Sequence, residues 1–277
     1  MKINTEPYNG AGFQHIFQSI WFFVVFHILF IAAWFLSDIN FFGVFCVWFA
    51  IQFGIHAGYH RYFSHGSFRT RPWMEFLLAF LGSMALQNGP VWWASKHRNH
   101  HRFSDTDRDC HSPKHGFWHA HIGWLWTRDS QKIDWTKVPD LCRPIPIFFE
   151  RYQIFFHLAY VICLILFFGW AAPLAYWVIP IVICWHTTFS TNSICHTFGS
   201  KPYLSRSSKY TTACNNIIVA VLNLGEGWHN NHHAFPTCSH HGYHKWYQLD
   251  VVYLVLFFLE KLDIVWNLRK RSTTAAS

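Results

Sequence analysis

Charged residues are scarce in this sequence. Only 13% of the 277 residues are Asp, Glu, Lys or Arg, whereas 52% are hydrophobic and 20% are aromatic. Soluble globular domains ordinarily contain about 25% charged residues. The composition therefore argues against an ordinary soluble globule and favours an integral membrane protein.

Paired cysteines and linker segments are also missing. The eight cysteines are scattered singly, and no Cys-x-x-Cys pair occurs. This pattern argues against both a disulfide framework and a cysteine-ligated iron–sulfur cluster. No repeat of fixed period, low-complexity tract or Gly/Ser-rich linker divides the chain. We therefore predict a single domain over residues 1–277.

Long runs without charged residues predict four membrane-spanning helices. One run covers about residues 16–36, and a second, at 41–57, follows a short polar break. A similar pair covers about 154–170 and 174–190. About 20 residues at a rise of 1.5 Å each are enough to cross a hydrocarbon core of roughly 30 Å. The spacing predicts two helical hairpins in an all-α fold.

Two apolar runs are shorter than a membrane span. They cover Phe76–Ala85 and Val251–Leu259. Runs of this length are more typical of buried, re-entrant or interfacial helices. We predict helices of that kind at both places.

The distribution of lysine and arginine predicts the orientation. The connections inside the two hairpins contain none, and nearly all lie in residues 58–150 and 191–277. Because cytoplasmic loops are enriched in these residues, we predict that both segments form one cytoplasmic helical cap and that both termini are cytoplasmic. We favour a bacterial inner membrane over the endoplasmic reticulum.

The net charge of +8 does not require a nucleic acid partner. Basic residues such as Arg269, Lys270 and Arg271 can contact anionic lipid headgroups on the cytoplasmic side. An acidic redox protein is a second partner that the same residues could bind.

Histidine is abundant, with 21 residues, and nine of them fall into four groups near the predicted spans. The nine are His60 and His65; His97, His100 and His101; His196; and His229, His232 and His233. Two groups have the spacing His-x-x-His-His, which puts all three imidazoles on one helical face. Such a triplet can converge on one metal ion or on a pair.

The first group has a different spacing. His60 and His65 are five residues apart, which on an α-helix turns their side chains about 140° away from each other. On that geometry the two histidines can hardly chelate one ion, but they can serve two.

Nine imidazoles exceed the needs of one four-coordinate zinc ion, so the sequence predicts two metal ions, and imidazole suits iron. Asn192 lies four residues before His196 and could hold a metal-bound water. Isolated histidines inside the spans, such as His27, His157 and His186, are more often packed and hydrogen-bonded than metal-bound. We leave those three out of the predicted site.

Four motifs carry a family resemblance. They are HRYFSH from His60, HRNHH from His97, NSICH from Asn192 and GEGWHNNHH from Gly225. In this order the chain resembles the membrane fatty acid desaturases, in particular the Δ9 acyl desaturase branch, over His56 to about Asp263. The resemblance implies four spans, a cytosolic cap and a di-iron centre held by the nine histidines, with Asn192 acting through a water.

The implied reaction uses O2 and two electrons to introduce a cis double bond into a saturated acyl chain. The carrier could be CoA, acyl carrier protein or a lipid. Ser95-Lys96 stands where stearoyl-CoA desaturases typically have Arg-Asp, and Asn88-Gly89-Pro90 looks more like the acyl-lipid or bacterial branch. No His-Pro-Gly-Gly motif of cytochrome b5 is present, so a separate donor of the cytochrome b5, ferredoxin or rubredoxin type is expected.

Further residues receive roles from these motifs. Trp93 and Asn88 are candidates for the lining of a substrate tunnel. Asp105, Asp109 and Glu226 are candidates for accepting hydrogen bonds from metal-bound histidines, which generally donate through their second ring nitrogen.

Two alternatives remain open at this stage. A related di-iron enzyme could hydroxylate the chain or form an acetylenic bond or terminal alkene. A histidine-rich membrane metal carrier would have no enzymatic activity, would bind zinc or mixed metals, and would lack a substrate tunnel.

Overall fold

The computed structural model describes residues 19–204 and 210–271, and it is mostly helical. The first residues of the span predicted from residue 16 lie outside this part of the chain. The α-helices that it contains are α1 (Ile20–Leu36), α2 (Phe41–Phe53), α3 (Pro72–Ser83), α4 (Pro90–Phe103), α5 (Phe117–His121), α6 (Pro144–Phe168), α7 (Ile179–Ser193), α8 (Ile217–Leu222), α9 (His229–Ala234) and α10 (Val251–Lys261).

Several segments have other helical geometries. A π-helix, Gly54–Ser64, continues α2, and a second one, Leu174–Val178, leads into α7. Short 3₁₀ turns cover Pro113–His115, Gly123–Trp126, Trp135–Lys137, Pro139–Leu141 and Ile194–His196.

Three helical stretches of the described residues are long and apolar enough to cross a membrane. They are Phe41–Ser64, Pro144–Phe168 and Leu174–His196, with 24, 25 and 23 residues. Helix α1 is also apolar but has only 17 residues, a length of about 26 Å. Large apolar side chains of α1 and α6, such as Phe35 and Phe167, are exposed, as expected of surfaces that face lipid.

All three stretches extend beyond the predicted spans, and the last of them continues to His196 rather than ending near residue 190. Helix α6 begins at Pro144 rather than near residue 154, because proline fits the first turn of a helix, where its missing N–H is not needed. The polar residues Glu150 and Arg151 interrupt the apolar pattern without ending the helix. The second span continues to Ser64 instead of ending near residue 57, because the chain changes to a π-helix there.

The π-helix packs closely against α3. A Cβ atom added to Gly54 would lie 2.2 Å from the backbone nitrogen of Gly82, and one added to Gly58 would lie 2.8 Å from the Leu78 carbonyl oxygen. Only glycine permits this approach of two backbones. The contact fixes the stretch that carries His60 and His65 relative to its neighbours.

Both predicted short helices are present, as α3 and α10. Val252 and Leu256 of α10 are fully buried and pack in one cluster with Leu78 of α3 and Val265. Strand β1 (Arg69–Thr70) pairs antiparallel with β2 (Val265–Trp266). These contacts join the two chain segments on either side of α6 and α7 into one body.

Candidate metal centre

Five histidines form the first group, which we call the five-histidine group. Its members come from the π-helix and the residue that follows it, from α4 and from α9, and one ring nitrogen of each lies within 4.8 Å of the others: His60, His65, His97, His101 and His232. Neighbouring Nε2 atoms are 2.7 Å apart for His65 and His97 and 3.0 Å apart for His60 and His232.

Four histidines form the second group, the four-histidine group. Its members are His100, His196, His229 and His233. The Nε2 atom of His229 lies 3.0 Å from those of both His196 and His233, and His233 Nε2 lies 3.2 Å from His100 Nε2. All four side chains are buried. The two groups together contain the nine histidines that the sequence motifs single out.

The nine histidines are distributed in a way that the spacing alone did not indicate. His97 and His101 of α4 belong to the five-histidine group, whereas His100 of the same helix belongs to the four-histidine group. Helix α9 has the reverse arrangement. His232 belongs to the five-histidine group, whereas His229 and His233 belong to the four-histidine group. Each of these helices therefore contributes to both groups.

The predicted separation of about 140° between His60 and His65, which made a shared ion unfavourable, is wrong. Their ring centroids are 5.0 Å apart, and both belong to the five-histidine group. The reason is the π-helix, in which the backbone N–H of His65 donates to the carbonyl oxygen of His60, 3.2 Å away. This i to i+5 bond brings residues five apart to the same side, whereas an α-helix separates them.

Three carboxylates accept hydrogen bonds from histidine Nδ1 atoms, on the side of each ring that faces away from the centre of its group. His60 Nδ1 donates to Glu226 over 2.8 Å, His100 Nδ1 donates to Asp109 over 2.8 Å, and His196 Nδ1 donates to Asp105 over 2.9 Å. An ionised carboxylate only accepts hydrogen bonds, so each of these imidazoles carries its proton on Nδ1. Their Nε2 lone pairs then point towards the centre of their groups.

Converging lone pairs need a positive partner. Neighbouring Nε2 atoms in the two groups are between 2.7 and 3.2 Å apart, and lone pairs at this distance repel unless a proton or a cation lies between them. Two ligand nitrogens about 2.1 Å from one ion and at right angles to each other are about 3.0 Å apart. The donor set and its spacing therefore fit one metal ion in each group.

Electrostatics keeps the imidazoles in the form that binds metals. Burial lowers the pKa of His97, His101, His229, His232 and His233 well below the usual value, and neighbouring histidines lower it further. These side chains are therefore neutral at physiological pH. Metal ions bind neutral imidazole, so no proton has to be displaced from these five.

The carboxylates are ionised despite their burial. Burial alone would raise the pKa of Asp109 and Glu226, but the neighbouring histidines lower it below the usual range. Burial also favours a higher pKa for Asp105, but the hydrogen bond from His196 has the larger share in lowering this pKa below its usual value. Because all three stay charged, they can orient the imidazoles that donate to them.

Two buried charged residues that support the site were missed at the level of sequence. Arg61 donates to Glu226 and Asp250 over 2.8 and 3.0 Å. Glu150 of α6 accepts the backbone N–H groups of Val91 and Trp92 and so caps the start of α4. Arg61 could have been noticed as a lone charge inside the HRYFSH motif. Glu150 gave no signal because the third span was predicted to begin after it.

A small cavity adjoins both groups. It is lined by His60 and His97 of the five-histidine group, by His100 and His229 of the four-histidine group, and by Trp93 and Asn192. The Trp93 ring stacks on His97 at 4.9 Å. The cavity therefore brings the predicted tunnel tryptophan and the predicted water-holding asparagine next to the histidines.

Asn88 lies elsewhere, in a second and mostly apolar cavity. Its neighbours in the lining include Phe23, Leu86, Trp185 and Phe189. Gln87 also lines this second cavity and reaches towards the first, because it accepts from Trp93 Nε1 at 3.4 Å and donates to Thr188 Oγ1 at 3.2 Å. Gln87 thus stands between the two predicted tunnel residues.

The three isolated histidines lie outside both groups. His27 and His186 contact each other through their Nε2 atoms at 2.9 Å. His157 binds the Ser83 carbonyl oxygen and accepts from Trp177. All three have hydrogen-bond partners among the helices, as expected of packed polar residues in an apolar environment.

Comparison with known proteins decides the family. The profile of the family described as fatty acid desaturase matches residues 39–254, which include all nine histidines and the three carboxylates. The chain belongs to the fatty acid desaturase family. Matches to the individual desaturases described next agree with this assignment.

Relatives from plants and cyanobacteria are 36–38% identical to this desaturase family member over the aligned residues. A protein named "Probable lipid desaturase ADS3.2, chloroplastic" from Arabidopsis thaliana is 38% identical over 226 residues, which is 79% of this chain. The icosanoyl-CoA 5-desaturase of Limnanthes douglasii is 36% identical over 222 residues, 78% of this chain. The matched region covers only 61% of the length of each of these two relatives.

A cyanobacterial relative is matched over more of its length. The sn-1 stearoyl-lipid 9-desaturase of Anabaena variabilis is 37% identical over 224 residues, which is 80% of both chains. Two of the three names specify a lipid and one specifies CoA, and the two names that give a double-bond position give 5 and 9. The family therefore includes more than one acyl carrier and more than one double-bond position.

Proposed function

We propose that this protein is a membrane di-iron oxidoreductase that uses O2 to introduce a cis double bond, most simply at the Δ9 position, into a saturated acyl chain. The observation that carries the proposal is the convergence of nine imidazoles into groups of five and four beside a cavity. A metal carrier does not need such a cavity between two metal positions. Membership of the desaturase family supports the same activity.

Each group would hold one iron. The five-histidine group supplies five nitrogens, and the four-histidine group supplies four, to which Asn192 can add a water because it lines the cavity with His229. The separations near 3.0 Å between neighbouring nitrogens suit right-angled coordination better than a tetrahedral zinc site, where they would be about 3.4 Å. Iron is the redox metal that imidazole suits and that oxygen chemistry requires.

The bound irons supply the oxidising power that unactivated C–H bonds require, since such bonds offer no acid and no leaving group. The protein holds the substrate in place and keeps the ligands fixed. Trp93 and Thr188 form part of the wall next to the histidines. Glu226, Asp105 and Asp109 keep the proton of one histidine each on Nδ1, so the imidazoles cannot rotate away from the centre.

The acyl chain is proposed to run from the cavity at the histidines into the apolar cavity lined by Phe23, Leu86 and Trp185. Gln87 would then lie beside the chain between the two cavities. Its hydrogen bonds to Trp93 and Thr188 fix the shape of the wall at this point. A fixed wall selects which pair of methylenes lies beside the metals and so raises the rate by orientation.

Substitution of Gln87 tests this path. Gln87→Ala removes both hydrogen bonds and widens the passage, so we expect a loss of desaturation rate of about ten-fold, equivalent to roughly 1.4 kcal/mol of activation free energy. We also expect a mixture of double-bond positions, because the chain is held less firmly. Gas chromatography with mass spectrometry of derivatised products measures both effects.

An exposed glutamine provides the matched control. Gln131→Ala makes the same chemical change at an exposed position and is expected to leave rate and product unchanged. A Gln87→Ala variant that makes a single product at the normal rate would contradict the proposed path.

A glycerolipid is the proposed acyl carrier. A surface groove beside α4 combines the cations of Lys96, Arg108 and Lys132 with the anions of Asp107 and Asp129. Such mixed charge is poorly suited to the several phosphates of CoA, whereas a zwitterionic or sugar headgroup fits it. Two of the relatives described above have names that specify lipid desaturases. CoA and acyl carrier protein thioesters remain the substrates to compare in a purified assay.

The remaining elements of the proposal concern the membrane. We propose one domain over residues 1–277, with four spans in two hairpins and with both histidine groups in a cap on the cytoplasmic side of a bacterial inner membrane. The support is the charge distribution and the four apolar helices. A separate electron carrier of the cytochrome b5, ferredoxin or rubredoxin type would supply the two electrons.

Expression in a host without its own acyl desaturase tests the activity. With iron and an electron donor supplied, we expect cis-monounsaturated acyl chains to appear in the membrane lipids, whereas a host with an empty vector has none. Fatty acid analysis by gas chromatography and mass spectrometry gives the position and geometry of the double bond. An unchanged lipid profile with iron-loaded protein would reject the proposal, and hydroxylated or acetylenic chains would replace it with a related reaction.

A further inference from the structure

The two histidine groups differ in the charges that lie behind them. The five-histidine group has one carboxylate hydrogen-bonded to a member, Glu226, whereas the four-histidine group has two, Asp105 and Asp109. This difference is independent of the number of histidines. It affects which charge of a bound metal ion each group would stabilise best.

The carboxylate behind the five-histidine group is paired with a buried arginine. The Nη2 atom of Arg61 lies 2.8 Å from Glu226 Oε1, and its Nη1 donates to the Ser239 carbonyl oxygen over 2.7 Å. The side chains of Arg61 and Glu226 are 0% and 3% exposed. Asp250 Oδ1 accepts from the same Nη2 atom over 3.0 Å. Two carboxylates and one guanidinium therefore give this cluster a net charge of −1, whereas Asp105 and Asp109 give −2 behind the four-histidine group.

Among the described residues, the carboxylates behind the four-histidine group have no arginine or lysine partner. Asp105 accepts from His196 and from the backbone N–H and hydroxyl of Thr212. Asp109 accepts from His100 and from the backbone N–H of Asp105. Within residues 19–204 and 210–271, no lysine or arginine forms an ion pair with either carboxylate. Two negative charges thus act on this group without a cation in contact.

We propose that Arg61 is a positioning residue that sets the order of reduction of the two irons, so that the first electron stays on the iron held by the five-histidine group. The step is the one-electron reduction of Fe³⁺ to Fe²⁺ by an external one-electron donor, with no proton transferred. The inference rests on the proposed di-iron function and adds to it a role for a residue that binds neither metal nor substrate.

The physical basis is Coulombic. A negative environment stabilises Fe³⁺ relative to Fe²⁺ and lowers the reduction potential, and a positive charge raises it. These charges are buried, so solvent screens them weakly. Asp105 and Asp109 together therefore lower the potential of the iron in the four-histidine group, while Arg61 offsets one of the two negative charges, Glu226 and Asp250, that act on the other iron.

Stepwise reduction of the full-length, iron-loaded protein in detergent tests the order. After addition of one electron per two irons, we expect mostly the mixed-valence form, quantified by electron paramagnetic resonance. A wild-type protein that passes directly from the diferric to the diferrous form would overturn the proposal.

Two variants on opposite sides of the site are expected to have the same effect. Arg61→Gln removes the positive charge and lowers the potential of the iron that is reduced first, while Asp105→Asn raises the potential of the iron that is reduced second. Each change narrows the separation between the two reduction steps and lowers the yield of the mixed-valence form. If the order were reversed, both changes would widen the separation and raise that yield.

Conservative and distant controls separate this role from a structural one. Arg61→Lys keeps the charge and is expected to restore the wild-type yield. Lys114→Gln removes an exposed cation that pairs with Asp107 and is expected to change nothing. If Arg61→Gln cannot be loaded with iron, Asp105→Asn provides the test, because it is also expected to lower the yield of the mixed-valence form. An unchanged or higher yield in the variants overturns the proposal.

The outcome can be distinguished from failure of the proposed function. Iron loading and reduction potentials are measured without turnover, so a protein that binds two irons but forms no double bond still gives a clear result for Arg61. Purification with zinc instead of iron would reject the proposed function before any potential is measured.

Discussion

Replacing His229 with alanine is expected to abolish desaturation and to reduce the bound iron to about one ion per chain or less. His229 Nε2 lies 3.0 Å from the Nε2 atoms of both His196 and His233, so its loss opens the middle of the four-histidine group. Removal of a ligand from a metal site typically costs more than the 10- to 100-fold loss seen for outer partners. Elemental analysis and product analysis measure the two effects.

A histidine outside both groups is the control. His27→Ala removes an imidazole that contacts only its neighbours in the helices, and we expect both iron content and activity to remain. His101→Ala, in the five-histidine group, is expected to behave like His229→Ala. Full iron content in His229→Ala, or loss of iron in His27→Ala, would show that the ligands are assigned incorrectly.

Removal of the metals is expected to make the protein sensitive to mild acid. In the unfolded chain histidines take up a proton near pH 6.5, whereas burial lowers the pKa of His97, His101, His229, His232 and His233 in the folded protein. Below about pH 6.5 the unfolded state therefore binds more protons. Each such histidine then costs up to about 1.4 kcal/mol of folding free energy per pH unit.

The carboxylates act in a lower pH range. Because the pKa of Glu226 and of the two aspartates is lowered in the folded state, their stabilisation persists until the pH falls below about 4. Unfolding temperatures of chelator-treated protein should therefore drop steeply between pH 7 and pH 5. Iron-loaded protein should keep its stability further into this range, since protons must compete with the metal. A flat profile for the metal-free protein would contradict the neutral state of the histidines.

The sequence was sufficient to predict the apolar helices and to select nine histidines that lie together. Apolar run length reports on the lipid environment, and the His-x-x-His-His spacing reports on a helical face. Neither signal predicts a π-helix, because the change from i+4 to i+5 hydrogen bonds between Gly54 and Ser64 depends on close packing against α3. The angle predicted between His60 and His65 was wrong for that reason.

Contacts between residues far apart in the chain could not be predicted from the sequence either. Arg61 meets Glu226 and Asp250 only after residues far apart in the chain come together. The same holds for Glu150 and the start of α4. The division of the histidines into five and four depends on how α4 and α9 face each other, and spacing within either motif leaves that open.

Helices α4 and α9 each supply imidazoles to both histidine groups. In many di-iron proteins built on helical bundles, glutamate side chains help to hold the metals, and such side chains can shift when other ligands come and go. Here all nine side chains in the two groups are imidazoles, and two helices hold members of both groups. The separation of the two groups is therefore tied to the backbones of α4 and α9, and a shift of either helix would move ligands in both groups at once.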